Sequence, residues 1–238
     1  MILMLCVSIN AGCGKTTPII SAVNIRKPIY VDGVMDVVWQ KGSWCKISHL
    51  ALSKQDTIVT SANISGKFKV RWDRKNCYFF IQVKDDIKCR RPVSEDLYKA
   101  KIDFFRWVGE NDAVSVVVDS KQEGLTLKHS RINRYTFVYQ FDSVLVSYGF
   151  KSDINNVKFA QKDTAAGYAM EIAIPWDNLN IDISKRHSFG LQIFIADNDN
   201  HQIEPGIPPF SDSIVSWFDT GISLSAASKL PTNVYLND

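Results

Sequence analysis

Apolar and polar residues alternate with a period of two through most of this chain, and that pattern confines it to β-structure. Phe79, Ile81 and Val83 fall on one face of a strand, with Tyr78, Phe80, Gln82 and Lys84 on the other. Val114, Val116 and Val118 alternate with Ala113, Ser115, Val117 and Asp119, and Tyr168, Met170, Ile172 and Ile174 with Ala169, Glu171 and Ala173. Successive side chains of a strand point to opposite sides, so each run puts an apolar face on one side of a sheet. Further β-rich runs cover 66–72, 135–141, 144–150, 157–161, 189–196 and 214–217. Gly, Asn, Asp and Pro clusters bound them, and few helical patterns intervene. This predicts an all-β chain, an antiparallel β-sandwich whose two sheets share one core and whose strands each bury one face. Segment 84–111 breaks the rhythm with Arg90-Arg91-Pro92 and a charged stretch ending in Phe104-Phe105-Arg106-Trp107. It is too long for a hairpin turn, and one short helix is expected over 95–108 behind a Ser94 cap.

Composition excludes several classes of function. The 238 residues carry 28 basic and 25 acidic side chains, a net +3 of mixed sign that offers no electrostatic footprint for nucleic acid. No apolar run approaches the roughly 20 residues of a spanning helix. Gly14-Lys15-Thr16-Thr17 imitates the end of a phosphate loop, but Ile9 stands where the first glycine belongs and Pro18 interrupts the helix that should follow, so no nucleotide is expected. The motifs of serine hydrolases and zinc proteases are absent. A glycosidase would need two carboxylates across a cleft, and the pair nearest Trp107 is Glu110 with Asp112.

The first twelve residues, MILMLCVSINAG, are apolar and uncharged and end in small residues before Cys13. This is the back half of a secretory signal, and Ala11-Gly12-Cys13 resembles the end of a bacterial lipobox. The expected organisation is a signal over 1–12, lipidation at Cys13, a tether over 13–28 and one domain over 29–238. The protein would then be exported and held on the bacterial envelope by lipid, on the outer membrane or the periplasmic face. Cys45, Cys77 and Cys89 remain, an odd number compatible with one disulfide and one free thiol.

Six segments in order resemble the family 9 carbohydrate-binding modules. They are Asp32-Gly33 through Asp36 to Trp39; Trp72-Asp73 followed by 78–85; Asn111 to Asp119; Gly167-Tyr168 through Glu171 to Pro175-Trp176; 190–199; and Ser216-Trp217-Phe218-Asp219. The resemblance implies a DOMON-like, jelly-roll-like sandwich that binds sugar and does no chemistry, accessory to polysaccharide capture or degradation. In that family two Trp rings enclose a sugar whose C–H face is apolar. Trp107 matches one ring, and the sugar-binding candidates are Trp107, Asn111 and Arg134. Thr136 replaces a binding Arg, and Arg134 shares its strand face two residues earlier. The second ring has no counterpart, since 220–231 holds no aromatic residue and Ser225 falls near its place. No cofactor is required, but family members hold structural calcium, for which Asp85, Asp197 and Asp199 offer hard oxygen ligands. Two rivals share the scaffold: a haem-binding electron-transfer module, which would need an axial ligand such as Met170, and an assembly protein with a degenerate sugar site.

Overall fold

The computed structural model describes residues 17–53, 59–90, 111–122, 131–146, 153–199, 212–219 and 230–237. Thirteen strands and one helical turn are found among them: β1 (Ile20–Asn24), α1 (Val37–Gln40), β2 (Cys45–Ile47), β3 (His49–Ser53), β4 (Ile64–Trp72), β5 (Asn76–Asp85), β6 (Ala113–Asp119), β7 (Ile132–Val138), β8 (Val144–Val146), β9 (Lys158–Thr164), β10 (Gly167–Pro175), β11 (Ser188–Asp197), β12 (Ser213–Ser216) and β13 (Val234–Asn237). They form two layers. Sheet A runs β13-β1-β4-β5-β10-β9, with β2 also on β4, and sheet B runs β8-β7-β6-β11-β12-β3. Strand β11 turns the corner, pairing through Ser188 and Phe189 with β13 and through the rest of its length with β6 and β12. The sandwich is therefore as the alternation predicts, except that its pairing is mixed: β1 runs parallel to both β13 and β4.

The apolar faces read from sequence meet in the middle. Phe79, Ile81 and Val83 of β5, Val114, Val116 and Val118 of β6 and Tyr168, Met170, Ile172 and Ile174 of β10 belong to one buried core. Met170 is thus a core side chain, as its inward position suggests. Trp72, Trp176 and Trp217 join the same core, and Phe68 meets Trp217 edge to face at 5.0 Å between centroids.

The expectation that each strand buries one face fails for β6, which is buried throughout, and for β10, which is buried at every residue before Pro175. Their outer faces are covered by smaller apolar clusters. Trp39, Tyr78, Phe80, Ala169 and Ala173 form one on sheet A, with Ile25, Val31, Val38 and Trp44 packed against it. Val117, Ile132, Phe194, Ile214 and Leu230 form another on sheet B. Three other readings also change. Ile20–Asn24, assigned to the tether, is a strand inside sheet A. Strand β7 lies three residues earlier than its apolar run suggests, because Asn133 is buried in it and donates to the Leu179 carbonyl at 3.1 Å. Cys45, Cys77 and Cys89 form no disulfide with one another, and burial raises the pKa of Cys45 to about 11. The helix expected over 95–108 lies outside the described residues, and no described helix is long and apolar enough to cross a membrane.

Candidate functional site

Many of the motif residues hold one another. Glu171 of β10, fully buried, accepts the backbone N–H of Asp32 at 3.0 Å, that of Gly33 at 3.2 Å and the indole N–H of Trp39 at 2.7 Å. Gly33 sits at φ +78°, and a β-carbon there would press against Lys162 Cγ at 3.1 Å and the Gln161 carbonyl carbon at 3.2 Å, so this turn requires glycine. Burial pushes the Glu171 carboxyl above its usual range, against the pull of its three donors. Buried Lys69 then fastens the end of α1. Its ammonium donates to the carbonyls of Trp39 at 2.6 Å, Lys41 at 3.1 Å and Gly42 at 2.7 Å, the groups a short helix leaves open. Trp72 donates through its indole to Ala22 of β1 at 3.0 Å and Asn237 of β13 at 3.2 Å. Asp73 accepts from Lys75, Asn76 and the Tyr78 hydroxyl, and its carbonyl takes the Trp176 indole at 2.8 Å.

On sheet B the outer face is apolar with a polar strip. Ser115 of β6 lies opposite Thr136 of β7, and their hydroxyls are 2.9 Å apart. Arg134, two residues along β7, donates to Ser115 Oγ at 3.3 Å. Burial lowers its pKa to about 10, a value that leaves the guanidinium charged at neutral pH. Around this strip stand Val117, Phe194, Ile214 and Leu230. Asn111 is buried at the entry to β6, whereas Arg134 pairs with Val117. The two are thus six residues apart along the strand, roughly 20 Å at 3.3–3.4 Å each. They cannot grip a single sugar ring together. Trp107, Ser225 and Cys13 lie outside the described residues, as does Glu110.

Carboxylates converge at the ends of β5 and β11. Oxygens of Asp85, Asp197 and Asp199 all lie within 4.8 Å of one another. Ligands 2.3–2.6 Å from a calcium ion can stand that far apart. Asp85 Oδ2, Asp197 Oδ1, Asn63 Oδ1 and the Tyr168 hydroxyl are buried and have no hydrogen-bond partner among the described residues. Buried oxygens left this way are costly unless a cation meets them, so the donor set fits a hard divalent ion. Burial first, and then the neighbouring charge of Asp199, pushes the Asp197 carboxyl up to about 7. Burial and Asp85 push Asp112 to about 9, and burial raises Asp85. Asp112 accepts the backbone N–H groups of Cys89 and Asn198, the latter at 3.0 Å. It therefore joins the loop after β5 to the loop after β11 from a buried position, which does not suit it to general acid–base work on a polymer. Sequence reasoning offered Asp85, Asp197 and Asp199 as ligands but had no signal for Asn63 or Tyr168, which reach the cluster from the turn before β4 and from β10 respectively.

The family model described as carbohydrate family 9 binding domain-like matches residues 31–221. Over 191 residues the chain is 27% identical to exoglucanase XynX of Acetivibrio thermocellus, covering 80% of this chain and 15% of that enzyme. It is likewise 27% identical to endo-1,4-beta-xylanase A of Thermoanaerobacterium saccharolyticum, covering 80% of this chain and 14% of that enzyme. The chain therefore spans about one seventh of these relatives. Its fold is similar to a family 9 carbohydrate-binding module from Caldicellulosiruptor kristjanssonii solved with cellotriose, with a TM-score of 0.62, 17% identity and 91% and 92% of the two chains covered. The same module with glucose gives a TM-score of 0.61, 17% identity and coverage of 91% and 95%.

Proposed function

Because the chain belongs to the carbohydrate family 9 binding domain-like family, we propose that it binds a neutral oligosaccharide on the outer face of sheet B, without acting on its bonds. The observation that carries this reading is the polar strip of Arg134, Ser115 and Thr136 on the outer side of sheet B, set among the buried apolar side chains Val117, Phe194, Ile214 and Leu230. A pyranose offers the complementary pair, an apolar C–H face and a rim of hydroxyls. Arg134 has the donors to engage those hydroxyls, and the Trp107 ring would supply the plate that covers the sugar. With one ring instead of two, the site would be shallower than the family pattern. Cellotriose, bound by the structural relative, is the natural first probe. Calorimetric titration should give binding that weakens at least ten-fold in Arg134→Ala and in Trp107→Ala, with thermal unfolding checking that each variant is folded. Unchanged affinity in both would remove this face from the site.

Calcium is the second part of the proposal. Asp85, Asp197 and Asp199 would hold it, and bound there the ion would cross-link the ends of β5 and β11 by neutralising carboxylates that otherwise repel. The residues themselves do the positioning, since Asn63 donates to Asp199 at 2.8 Å and to Asp86 at 3.3 Å. Lipidation of Cys13 would display the sandwich on the envelope, where captured polysaccharide is held near the enzymes that cut it. Metabolic labelling with a palmitate analogue, lost in Cys13→Ala, is the check.

A further inference from the structure

The outer face of sheet A carries a second groove, remote from Arg134. It has a volume of about 660 Å³ and is lined by Lys46, Lys67, Lys84, Gln82, Ser65 and Thr164 among others, with no acidic residue in its wall among the described residues. The pairing register places these groups. Lys46 of β2 faces Lys67 of β4, which faces Gln82 of β5. In the next row Ser65 faces Lys84, which faces Gly167 of β10 and, beyond it, Thr164 of β9. Past Lys84 the groove continues to the small residues Ala165 and Ala166 in the turn after Thr164. At its upper edge Trp44 lies under the Lys67 ammonium, 4.5 Å from ring to nitrogen.

Three features ask for an occupant. Like charges directly opposite one another on antiparallel strands repel, yet Lys46 and Lys67 stand so, with Lys84 one strand further. All three are exposed, and no ion pair with an acid is found for them among the described residues. The cations are spread over three strands at 4.7–4.9 Å spacing, rather than converging on one point as a phosphate site requires. Between them lie an amide and several hydroxyls, the partners of sugar hydroxyls.

We propose that this groove binds an acidic polysaccharide chain, one whose successive sugars carry carboxylates, as in a polyuronate. The chain lies across the strands, its carboxylates on the three lysines and its hydroxyls on Gln82, Ser65 and Thr164. This site is independent of the neutral-sugar reading for sheet B, and either can fail alone.

The test is calorimetric titration of the full chain with tetragalacturonate at low salt, with cellotriose run in parallel. Tetragalacturonate should bind, and raising the salt should weaken it several-fold. The Lys67→Glu/Lys84→Glu variant should bind it at least ten-fold more weakly, Lys67→Arg/Lys84→Arg should retain it, and cellotriose should behave alike in all three. Circular dichroism and thermal unfolding establish that the variants are folded. The proposal is overturned by no binding to the parent protein or by undiminished binding in the double Glu variant. It is equally overturned if the methyl-esterified tetramer binds as well, since charge is then unused. A dextran sulfate fragment of matched charge binding as well would also overturn it, since the sugar is then unread.

Discussion

Replacing Glu171 by Ala tests whether the signature residues are a clasp. The substitution orphans three donors, of which the Gly33 amide and the Trp39 indole are buried and the Asp32 amide is partly so. An unmet buried donor costs about 1–3 kcal/mol, so two give roughly 4 kcal/mol. Removing a carboxyl that burial already disfavours returns part of this, which leaves a net loss of about 3 kcal/mol. At 2–4 °C per kcal/mol for a chain this size, the melting temperature should fall by about 6–12 °C. Urea unfolding followed by tryptophan fluorescence reads the same loss as a lower midpoint. If the segment around α1 detaches in the native state, the slope should fall as well. Trp39→Phe removes one donor, and a double-mutant cycle with Glu171→Ala should show coupling of about 1–2 kcal/mol. A Glu171→Ala midpoint within 0.5 kcal/mol of the parent, or a strictly additive cycle, would refute the clasp.

Three further outcomes follow from the same structure. Calcium at a hundred-fold excess over its dissociation constant should stabilise the fold by about 2.7 kcal/mol, visible as a rise of about 5–10 °C in melting temperature that Asp85→Asn/Asp197→Asn abolishes. In calcium-stripped protein the folded pKa values of Asp197 (about 7) and Asp112 (about 9) lie above their ordinary 3.8, so the native state holds more protons than the unfolded one. Stability should then be greatest at mildly acid pH and decline as pH rises through 7 toward 9. Asp119 acts in the opposite sense, held low by Arg131 and Lys121 against its burial, so its contribution disappears as pH falls below about 4. Melting curves from pH 4 to 9 check both signs, and a melting temperature that is flat or rising from 5 to 9 in stripped protein would contradict them. Trp72→Phe, which forfeits the indole bonds to Ala22 and Asn237, should cost about 1–2 kcal/mol by urea unfolding.

The long strands were legible because their alternation is strong: β4, β5, β6, β10 and β11 lie close to where the pattern put them. β1, β2, β3 and β13 were not. They are three to five residues long, too short for a period of two to stand out, and their identity comes from pairing. The burial of both faces of β6 was equally hidden, because Leu230 covers Val117 from 113 residues away in the chain. The motifs Asp32-Gly33 to Trp39 and Gly167 to Trp176 were visible as a resemblance, but their physical meaning, two halves of one hydrogen-bonded clasp, needed coordinates. The same holds for the acidic cluster. Asp85, Asp197 and Asp199 each look like ordinary turn residues, and only the shared end of β5 and β11 makes them one site. Lys46, Lys67 and Lys84 carry no local signal at all, since their proximity is a property of register.

The parallel pairing of β1 and β13 has a mechanical consequence. Ile20 lies beside Val234 and Val23 beside Asn237, so the chain enters this ribbon at one end and leaves it at the other. Tension applied through the segments before Ile20 and after Asn237 would pull the two strands past each other. Their hydrogen bonds, and the indole of Trp72 that bridges both strands, would then be loaded together instead of being peeled one by one. A domain wired this way resists being stretched through its two ends far better than its short terminal strands suggest.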